Sequence, residues 1–349
     1  MFMFLKRLFK SKKTGNTDMP DKSTSLQEIQ QGSFVNIAVN EDKNIIEEEK
    51  NKMQAEIKEE ALLQEYNNQE KGEIVKEGKW KPENVNATGF DKNKNARIIA
   101  IANQKGGVGK STTAVNISGY LGKLGYKTLI IDFDPQSNST SGLGIDKTHI
   151  SKSIYEVIIL NEDPWKAITE TPYENLFVIP SSIQLAGAEV ELVSAMKREY
   201  KLKHVMDNIK NSFDFIVIDC PPALGLLTIN ALTAAGEVLI PIQCEYYALE
   251  GLGQLINTIN LIRENLNESL IITGVVMTMY DSRTRLSEQV IDEVKAYFPD
   301  KVYDTIIPRN IRLSEAPSYG KPIIDYDPDC KGATAYKNLT GEVVKNEPK

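Results

Sequence analysis

The sequence has few cysteines, and those it has lie far apart. Cys220, Cys244 and Cys330 are the only three, and no C-x-x-C pair occurs. This spacing argues against a disulfide framework and against a zinc site built from paired cysteines. It favours a reducing compartment, so we expect a cytoplasmic protein.

Long apolar runs are missing as well. No stretch reaches the roughly 18 apolar residues that a membrane-spanning helix needs. The first residues, MFMFLKRLFKSKK, interleave apolar and basic side chains and precede no cleavage region, which is not the pattern of a secretory signal. Residues 1–13 instead have the composition of a short amphipathic basic helix lying on an anionic membrane. Peripheral membrane contact is therefore one hypothesis for this segment, and a disordered basic leader is the other.

Positive charge is not in excess. The chain has 41 Lys and Arg against 48 Asp and Glu, which gives a formal net charge of −7. An acidic total does not exclude nucleic-acid binding, because a local basic patch is sufficient. Contact with DNA must therefore be argued from specific residues.

The chain divides into two unequal parts near residue 96. Residues 14–95 are rich in Glu, Lys, Asn and Gln and poor in aromatic residues. So little apolar surface cannot offset the entropy lost on ordering, so residues 1–95 are predicted to be a charged, mostly disordered extension. A solvated helix or weak coiled coil over residues 44–66 is the alternative. We see no helix-turn-helix pattern here, so operator-specific repression by this segment is not expected.

From Arg97 onward, apolar strands alternate with helical stretches. The strands are apolar on both faces, which is typical of a mostly parallel, twisted sheet with helices on both sides. The sequence therefore predicts an α/β domain over residues 96–345. Its predicted strands are RIIAIAN, KTLIIDFD, NLFVIPS, FDFIVIDC, EVLIPIQ, LIITGVVMTMY and VYDTIIP, and one long helical stretch is predicted over residues 185–211.

A glycine-rich loop, NQKGGVGKST at 103–112, follows the first strand and opens a helix. Its end, GKS, matches the phosphate-loop pattern G-x-x-x-x-G-K-[ST], but Gln104 stands where the pattern has its first glycine. Backbone N–H groups of such a loop, and the helix that follows, face phosphate oxygens. Lys110 should reach the β- and γ-phosphates of a nucleotide, and the Ser111 hydroxyl should bind Mg²⁺. The predicted nucleotide contacts in the loop, which the resemblance given next assigns to ATP, are Lys105, Gly106, Gly107, Val108, Gly109, Lys110, Ser111 and Thr112.

A second lysine, Lys105, begins this loop. It cannot easily fold back onto the phosphate that Lys110 already holds, so its natural target is a phosphate in a facing subunit. The run KGGVGKST resembles the deviant Walker A motif of the ParA/MinD group of P-loop ATPases. That resemblance implies a homodimer with two ATP molecules between its subunits, in which Lys105 crosses to the partner's ATP.

Carboxylates follow two of the predicted strands. Asp132 and Asp134 end KTLIIDFD, and the run IDFDPQSN resembles the second motif of the same family. The resemblance implies that Asp134 orients or activates the attacking water, with Lys105 and Lys110 as the other catalytic residues. It also implies that Asp132 lies near the Mg²⁺. Asp219 ends a further strand and fits a Walker B carboxylate that acts on Mg²⁺ through water, so the predicted metal set is Ser111, Asp132 and Asp219.

The C-terminal half also resembles ParA, through MTMYDSRTRLS at 277–287 and IIPRNIRLSEAPSYGKPI at 306–323. The resemblance implies that Pro308 and Asn310 lie on the adenine side of ATP. It further implies that Arg283 and Arg312 bind DNA, as in the chromosomal, Soj-like branch. Phosphate contacts of this kind are salt-sensitive and blind to sequence. Arg285 falls where the family often has a neutral residue, so its role stays open.

The expected function is an ATP-dependent dimerising switch for chromosome or plasmid partitioning. The family resemblance implies nonspecific DNA binding by the ATP dimer on the nucleoid, and slow hydrolysis that DNA and a ParB-like centromere-binding protein stimulate. A MinD-like, membrane-associated positioning ATPase is the alternative. A metabolic enzyme or reductase on the same fold is a third class, but an iron protein needs cluster cysteines in a glycine-rich setting, and a synthetase would not explain the SEAPS and DSRTR stretches.

Overall fold

The computed structural model describes residues 95–245 and 252–346. Residues 1–94 lie outside this part, so the predicted membrane contact of residues 1–13 and nearly all of the predicted extension remain predictions. Within the described part, none of the helices has both the length and the apolar character that crossing a bilayer requires.

The core of the domain is an eight-stranded sheet with the order β3-β4-β2-β5-β1-β6-β7-β8. Among the strands of the described residues, only the edge pair β3–β4 is antiparallel; every other pair is parallel, in keeping with the mostly parallel sheet that the sequence predicts. The two-residue strand β3 has no sequence signal and is an addition to the predicted set. The strands are β1 Arg97–Ile101, β2 Thr128–Asp132, β3 Thr169–Glu170, β4 Leu176–Ile179, β5 Phe215–Asp219, β6 Glu237–Gln243, β7 Ile271–Tyr280 and β8 Val302–Pro308.

Helices cover both faces of this sheet. The helices are α1 Lys110–Lys123, α2 Asn138–Gly142, α3 Ile154–Ile159, α4 Leu185–Glu191, α5 Lys201–Ile209, α6 Leu226–Ala234, α7 Leu252–Asn265, α8 Arg285–Tyr297, α9 Ile311–Glu315, α10 Ile323–Tyr326 and α11 Lys331–Lys345. Helices α3 to α8 contribute to one apolar cluster, and α1 and α9 to α11 contribute to a second. The prediction of helices on both faces is confirmed.

The central strands supply both clusters by alternation. All residues of β5 are buried, with Ile216 and Ile218 in the first cluster and Phe215 and Val217 in the second. Successive side chains of a strand point to opposite faces, so a strand covered on both sides must be apolar throughout. In β5 the polar residue Asp219 is the last residue of the strand, which places its carboxylate at the carboxyl edge of the sheet.

The prediction of one long helical stretch over residues 185–211 is wrong. Helix α4 ends at Glu191, and short 3₁₀ turns at Leu192–Ser194 and Arg198–Tyr200 separate it from α5. Lys197 has a φ of 52°, a left-handed conformation that a right-handed helix cannot contain. The Asn230 amide satisfies backbone groups beside the break, since its Oδ1 accepts from Leu202 N at 3.2 Å and its Nδ2 donates to Arg198 O at 2.7 Å. This tertiary contact from α6 has no signature in the local sequence.

Gly274 marks a tight contact that predicts a stability difference. It lies in β7 opposite Leu239, beside a register shift in β6, and a Cβ there would lie 2.5 Å from the Cζ of Tyr303. We expect Gly274→Ala to lower the free energy of unfolding by about 1–3 kcal/mol, because the buried Tyr303 ring must move. Urea unfolding measures this. The matched control is Gly341→Ala in α11, where no atom of the described residues lies within 4 Å of the added Cβ. The control should raise stability by about 0.5–1 kcal/mol; equal destabilisation of both variants would contradict the prediction.

Candidate active site

Hydrogen bonds to neighbouring strands hold the loop between β1 and α1. The buried Asn103 donates from Nδ2 to Pro241 O at 2.7 Å, and its Oδ1 accepts from Lys105 N at 3.0 Å. On the other side, Thr278 Oγ1 donates to Val108 O at 2.9 Å. The loop is therefore fastened to β6 and β7 before any ligand binds. The sequence prediction missed Asn103 and Thr278, which carry no motif of their own.

Left-handed glycines shape the turn of the loop. Gly107 and Gly109 have φ values of 75° and 90°, which side chains with a Cβ rarely adopt. Helix α1 then begins at Lys110 with neither a side-chain cap nor an acidic residue in its first turn. Its first N–H groups, for which a helix offers no internal partner, are thus available to an anion.

The two lysines of the loop occupy different environments. Lys110 is only 7% exposed, and its Nζ donates to Lys105 O at 3.1 Å. Burial lowers the pKa of Lys110, while the negative charges of Asp219 and Asp134 oppose that shift. The Lys105 side chain is 32% exposed and forms a 3.9 Å ion pair with Glu245. Lys110 is therefore the cation inside the site, and the Lys105 amine lies at its margin.

Parallel pairing brings two of the predicted carboxylates together. Asp132 at the end of β2 is paired with Asp219 at the end of β5, and Asp219 is paired with Ile101, the last residue of β1. Both carboxylates are fully buried. Asp132 Oδ2 accepts hydrogen bonds from Thr140 N at 2.7 Å and Thr140 Oγ1 at 2.6 Å, and Asp219 Oδ2 accepts from Ser139 Oγ at 2.7 Å.

Burial strongly perturbs both carboxylates. Burial, and next the charge of Asp219, raise the pKa of Asp132 to about 7. Burial raises the pKa of Asp219 to about 6, against the Ser139 hydrogen bond and the nearby Ser111 hydroxyl, which lower it. Asp219 Oδ1 is buried without a hydrogen-bond partner among residues 95–245 and 252–346. Leaving such an acceptor unsatisfied costs about 1–3 kcal/mol, a penalty that a bound cation would relieve.

Oxygen ligands of this kind fit Mg²⁺ better than a transition metal. Asp219, Asp132 and the Ser111 hydroxyl are the residues that could hold it. Across the described residues, no group of three or more carboxylate, imidazole or thiol side chains is arranged around one metal position. That is compatible with Mg²⁺, which is usually bound by one or two carboxylates together with water and substrate phosphates.

Asp134 lies two residues beyond the end of β2 and is 6% exposed. Its Oδ1 accepts from Gln136 N at 3.0 Å, and its charge acts on both Lys110 and Asp219. The second oxygen of Asp134 makes no hydrogen bond within the described part of the chain. One oxygen therefore fixes the carboxylate and the other is left to accept a proton or to orient water.

Helix α2 supplies the groups that hold these carboxylates, and the sequence prediction did not include it. Ser139 and Thr140 belong to this five-residue helix, and both are fully buried. One sequence feature could have indicated them: the run SNSTS at 137–141, rich in small hydroxyl residues, comes shortly after the two carboxylates of DFDP.

The predicted adenine-side residues lie at the end of β8, on the same edge of the sheet. Asn310 Oδ1 accepts from Arg312 N at 2.8 Å and so caps α9. Between them and the loop stands Glu245, which follows β6. Its carboxylate pairs with Arg309 at 3.2 Å and with Lys105 at 3.9 Å. Glu245 thus connects the margin of the phosphate loop to the 308–310 stretch; the sequence prediction did not include Glu245.

The predicted DNA-contact arginines are exposed at this edge, after β7 and β8. Both already have acidic partners: Arg283 pairs with Asp281, and Arg312 pairs with Glu315 and Asp327. The structure therefore brings the loop, Asp132, Asp134 and Asp219 together in one site. Arg283 and Arg312 lie in the separate segments that follow the last two strands.

Comparison with known proteins identifies the family to which the chain is related. A family model described as an AAA domain matches residues 96–272. The sporulation initiation inhibitor protein Soj of Bacillus subtilis is 57% identical over 250 residues, which cover 72% of this chain and 99% of that protein. The chromosome-partitioning ATPase Soj of Treponema pallidum is 49% identical over 251 residues, which cover 72% of this chain and 98% of that protein.

Among solved structures, the chain is similar to cobyrinic acid a,c-diamide synthase from Mycobacterium smegmatis with bound ADP and magnesium. The identity is 36% and the TM-score 0.64, with 72% of this chain and 94% of that chain covered. The identity to the Soj proteins is higher and extends over nearly their whole length. The chain therefore belongs to the Soj/ParA family, the group that its phosphate-loop sequence resembles.

Proposed function

We propose that this chain is an ATPase switch that forms a homodimer around two ATP molecules and thereby positions chromosomal or plasmid DNA. The observation that carries the proposal is the separation of the two loop lysines. Lys110 is buried beside Asp219 and Asp134, whereas the Lys105 side chain is partly exposed and, within residues 95–245 and 252–346, has a long ion pair with Glu245 as its one side-chain partner. A cation that the site does not use internally is available to a second subunit.

ATP would lie with its phosphates against the N–H groups of residues 106–112 and with its β- and γ-phosphates on Lys110. Ser111, Asp132 and Asp219 would hold the Mg²⁺, which neutralises charge on the phosphates. The buried, unpartnered oxygen of Asp219 supports this assignment. Pro308 and Asn310 would contact the adenine side, and because Oδ1 of Asn310 caps α9, its Nδ2 is the group left to contact the base.

Asp134 would orient the attacking water through the oxygen that Gln136 does not occupy. Phosphoryl transfer depends mainly on positioning and charge stabilisation. A single subunit has only Lys110 as a buried cation in the described site, so hydrolysis should be slow until the partner's Lys105 and a stimulating protein complete it. A ParB-like centromere-binding protein is the expected stimulator, since two similar proteins are named as chromosome-partitioning proteins.

DNA would be bound without sequence preference by exposed arginines in the segments after β7 and β8. Each segment alone offers few cations, so dimerisation should raise DNA affinity by doubling the number of contacts on one surface. This makes DNA binding dependent on ATP, and it would place the ATP-bound dimer on the nucleoid. The membrane contact of residues 1–13 lies outside the described residues and stays a separate prediction.

The test compares three states of the full chain: without nucleotide, with ADP and Mg²⁺, and with a non-hydrolysable ATP analogue and Mg²⁺. Light scattering gives the mass, and fluorescence anisotropy with random-sequence duplex DNA gives binding. We expect a dimer and DNA binding only with the ATP analogue. Affinity should fall by about 10³-fold or more between 50 and 200 mM salt if six or more phosphates are contacted.

Equal DNA binding in all three states, or a monomer with the ATP analogue, would contradict the proposal. An ATP dimer that binds anionic vesicles but not DNA would support the MinD-like alternative instead. Nucleotide binding without either dimer or DNA contact would favour the metabolic class to which the cobyrinic acid a,c-diamide synthase belongs.

A further inference from the structure

The segment that joins β7 to α8 and opens that helix contains two arginines in contrasting environments. Arg283 is tied to Asp281 by a two-pronged ion pair, with Nε to Oδ1 at 2.8 Å and Nη2 to Oδ2 at 2.6 Å. The backbone N–H of Arg283 donates to the same carboxylate at 3.0 Å. Asp281 thus occupies the Nε–Nη2 edge of the guanidinium, one of the two forked edges with which an arginine can bind a phosphate.

Arg312, the other predicted DNA contact, is held in a similar way. Its Nη1 lies 2.9 Å from Glu315 Oε2, and its Nε lies 3.2 Å from Asp327 Oδ2. Paired carboxylates offset the charge of this arginine on the surface. A phosphate that approaches Arg283 or Arg312 must displace these partners or bind the remaining N–H groups beside a negative charge.

Arg285 differs from both. It is exposed at the start of α8, two residues after Arg283, and has no hydrogen-bond or ion-pair partner within residues 95–245 and 252–346. Its guanidinium is always charged and has a forked set of donors that suits phosphate oxygens. It can bind a phosphate without first releasing a carboxylate among the described residues. The segment begins at the carboxyl edge of the sheet, the edge that also carries the phosphate loop.

We propose that Arg285 is a primary phosphate contact of the DNA surface and that Asp281 weakens DNA binding by competing for Arg283. The inference rests on the proposed DNA-binding function. Exposed ion pairs contribute little free energy, but a bidentate arginine–carboxylate pair of good geometry is the exception. Asp281 also adds a negative charge beside the phosphate position. It therefore opposes DNA binding both by pairing with Arg283 and by repelling the phosphate.

The experiment measures the Kd of the ATP-analogue dimer for random-sequence duplex DNA at several salt concentrations. Arg285→Ala should weaken binding at least 5-fold and should reduce the salt slope by about one for each phosphate that the variant no longer neutralises. Arg285→Lys should restore most of the affinity. Asp281→Asn should tighten binding several-fold, because it keeps the side-chain shape and removes the charge that competes for Arg283.

The matched control is Arg263→Ala. Arg263 is also exposed and without a partner among the described residues, but it lies in the last turn of α7, which precedes β7 and so is near the opposite edge of the sheet. Light scattering must show that every variant still forms the ATP dimer.

Equal affinities for Arg285→Ala and Arg263→Ala would overturn the assignment of Arg285. Weaker binding by Asp281→Asn would show that Asp281 positions Arg283 for phosphate rather than competing for it, and would overturn that half of the proposal. If the wild-type dimer bound no DNA, the proposed function would fail and this inference with it. Wild-type binding with an unaffected Arg285→Ala variant would reject the inference alone.

Discussion

Lys105→Ala is expected to abolish ATP-dependent dimerisation while leaving ATP binding by the monomer nearly unchanged. The reason is that the two lysines of the loop have different roles. Lys110 is the buried cation, and its Nζ donates to the backbone oxygen of residue 105, which alanine retains. Alanine removes only the side chain proposed to reach the partner's phosphates. Equilibrium binding of a fluorescent ATP analogue and light scattering measure the two properties separately.

The expected size of this effect follows from symmetry. A two-fold dimer contains each contact twice, so Lys105→Ala removes two charge-assisted contacts to phosphate. We expect the dimer dissociation constant to rise at least 100-fold, which corresponds to about 2.7 kcal/mol. The ion pair between Lys105 and Glu245 is exposed and long, and such pairs contribute about 0–1 kcal/mol. It therefore does not prevent Lys105 from leaving Glu245 to bind the partner's phosphate.

Lys123→Ala is the matched control for this prediction. Lys123 lies at the other end of α1, and its side chain is 60% exposed and pairs only loosely with Glu174. Its loss should leave both ATP binding and dimer formation intact. A Lys105→Ala protein that still dimerises with ATP, or one that no longer binds ATP as a monomer, would contradict the proposal that Lys110 serves ATP binding and Lys105 serves dimer formation.

The carboxylates at the ends of strands were predictable from sequence, whereas the residues that donate hydrogen bonds to them were not. Asp132 and Asp219 could be assigned because each ends an apolar run, and parallel strands end at one edge of the sheet. Ser139 and Thr140 could not, because a five-residue helix has too few positions to show a period. The break between α4 and α5 was missed for a related reason, since it depends on Asn230, which lies about 30 residues farther along the chain.

Surface charge was the least predictable property of the candidate sites. The family resemblance selected Arg283 and Arg312 by position, but whether a guanidinium is available depends on which carboxylates lie around it. Asp281 is near Arg283 in sequence, yet only the turn geometry makes the pair bidentate. Asp327 reaches Arg312 from 15 residues away. Sequence therefore locates the arginines, and the fold decides which of them is free of a local counter-charge among the described residues.

Asp134→Ala is expected to lower the rate of ATP hydrolysis by about 10²-fold or more while preserving ATP binding and dimer formation. Removing a group that positions or deprotonates the attacking water costs this much in comparable chemistry. Asp134 is expected to hold no phosphate, and it contributes only a minor part of the charge around Lys110. The variant should consequently accumulate as the ATP-bound dimer, with DNA binding that persists long after the wild-type protein has released it.

Phosphate release under single-turnover conditions measures the chemical step, and DNA dissociation measures the lifetime of the dimer. Asp207→Ala is the control, because Asp207 is an exposed carboxylate in α5 whose surface ion pair with Lys210 lies outside the site. It should hydrolyse ATP at the wild-type rate. Unchanged hydrolysis by Asp134→Ala would assign the water to another group, whereas the loss of both hydrolysis and ATP binding would give Asp134 a role in binding. Slow hydrolysis together with a long-lived dimer would link the chemical step to the release of DNA, as expected if Asp134 positions the attacking water and hydrolysis ends the DNA-bound state.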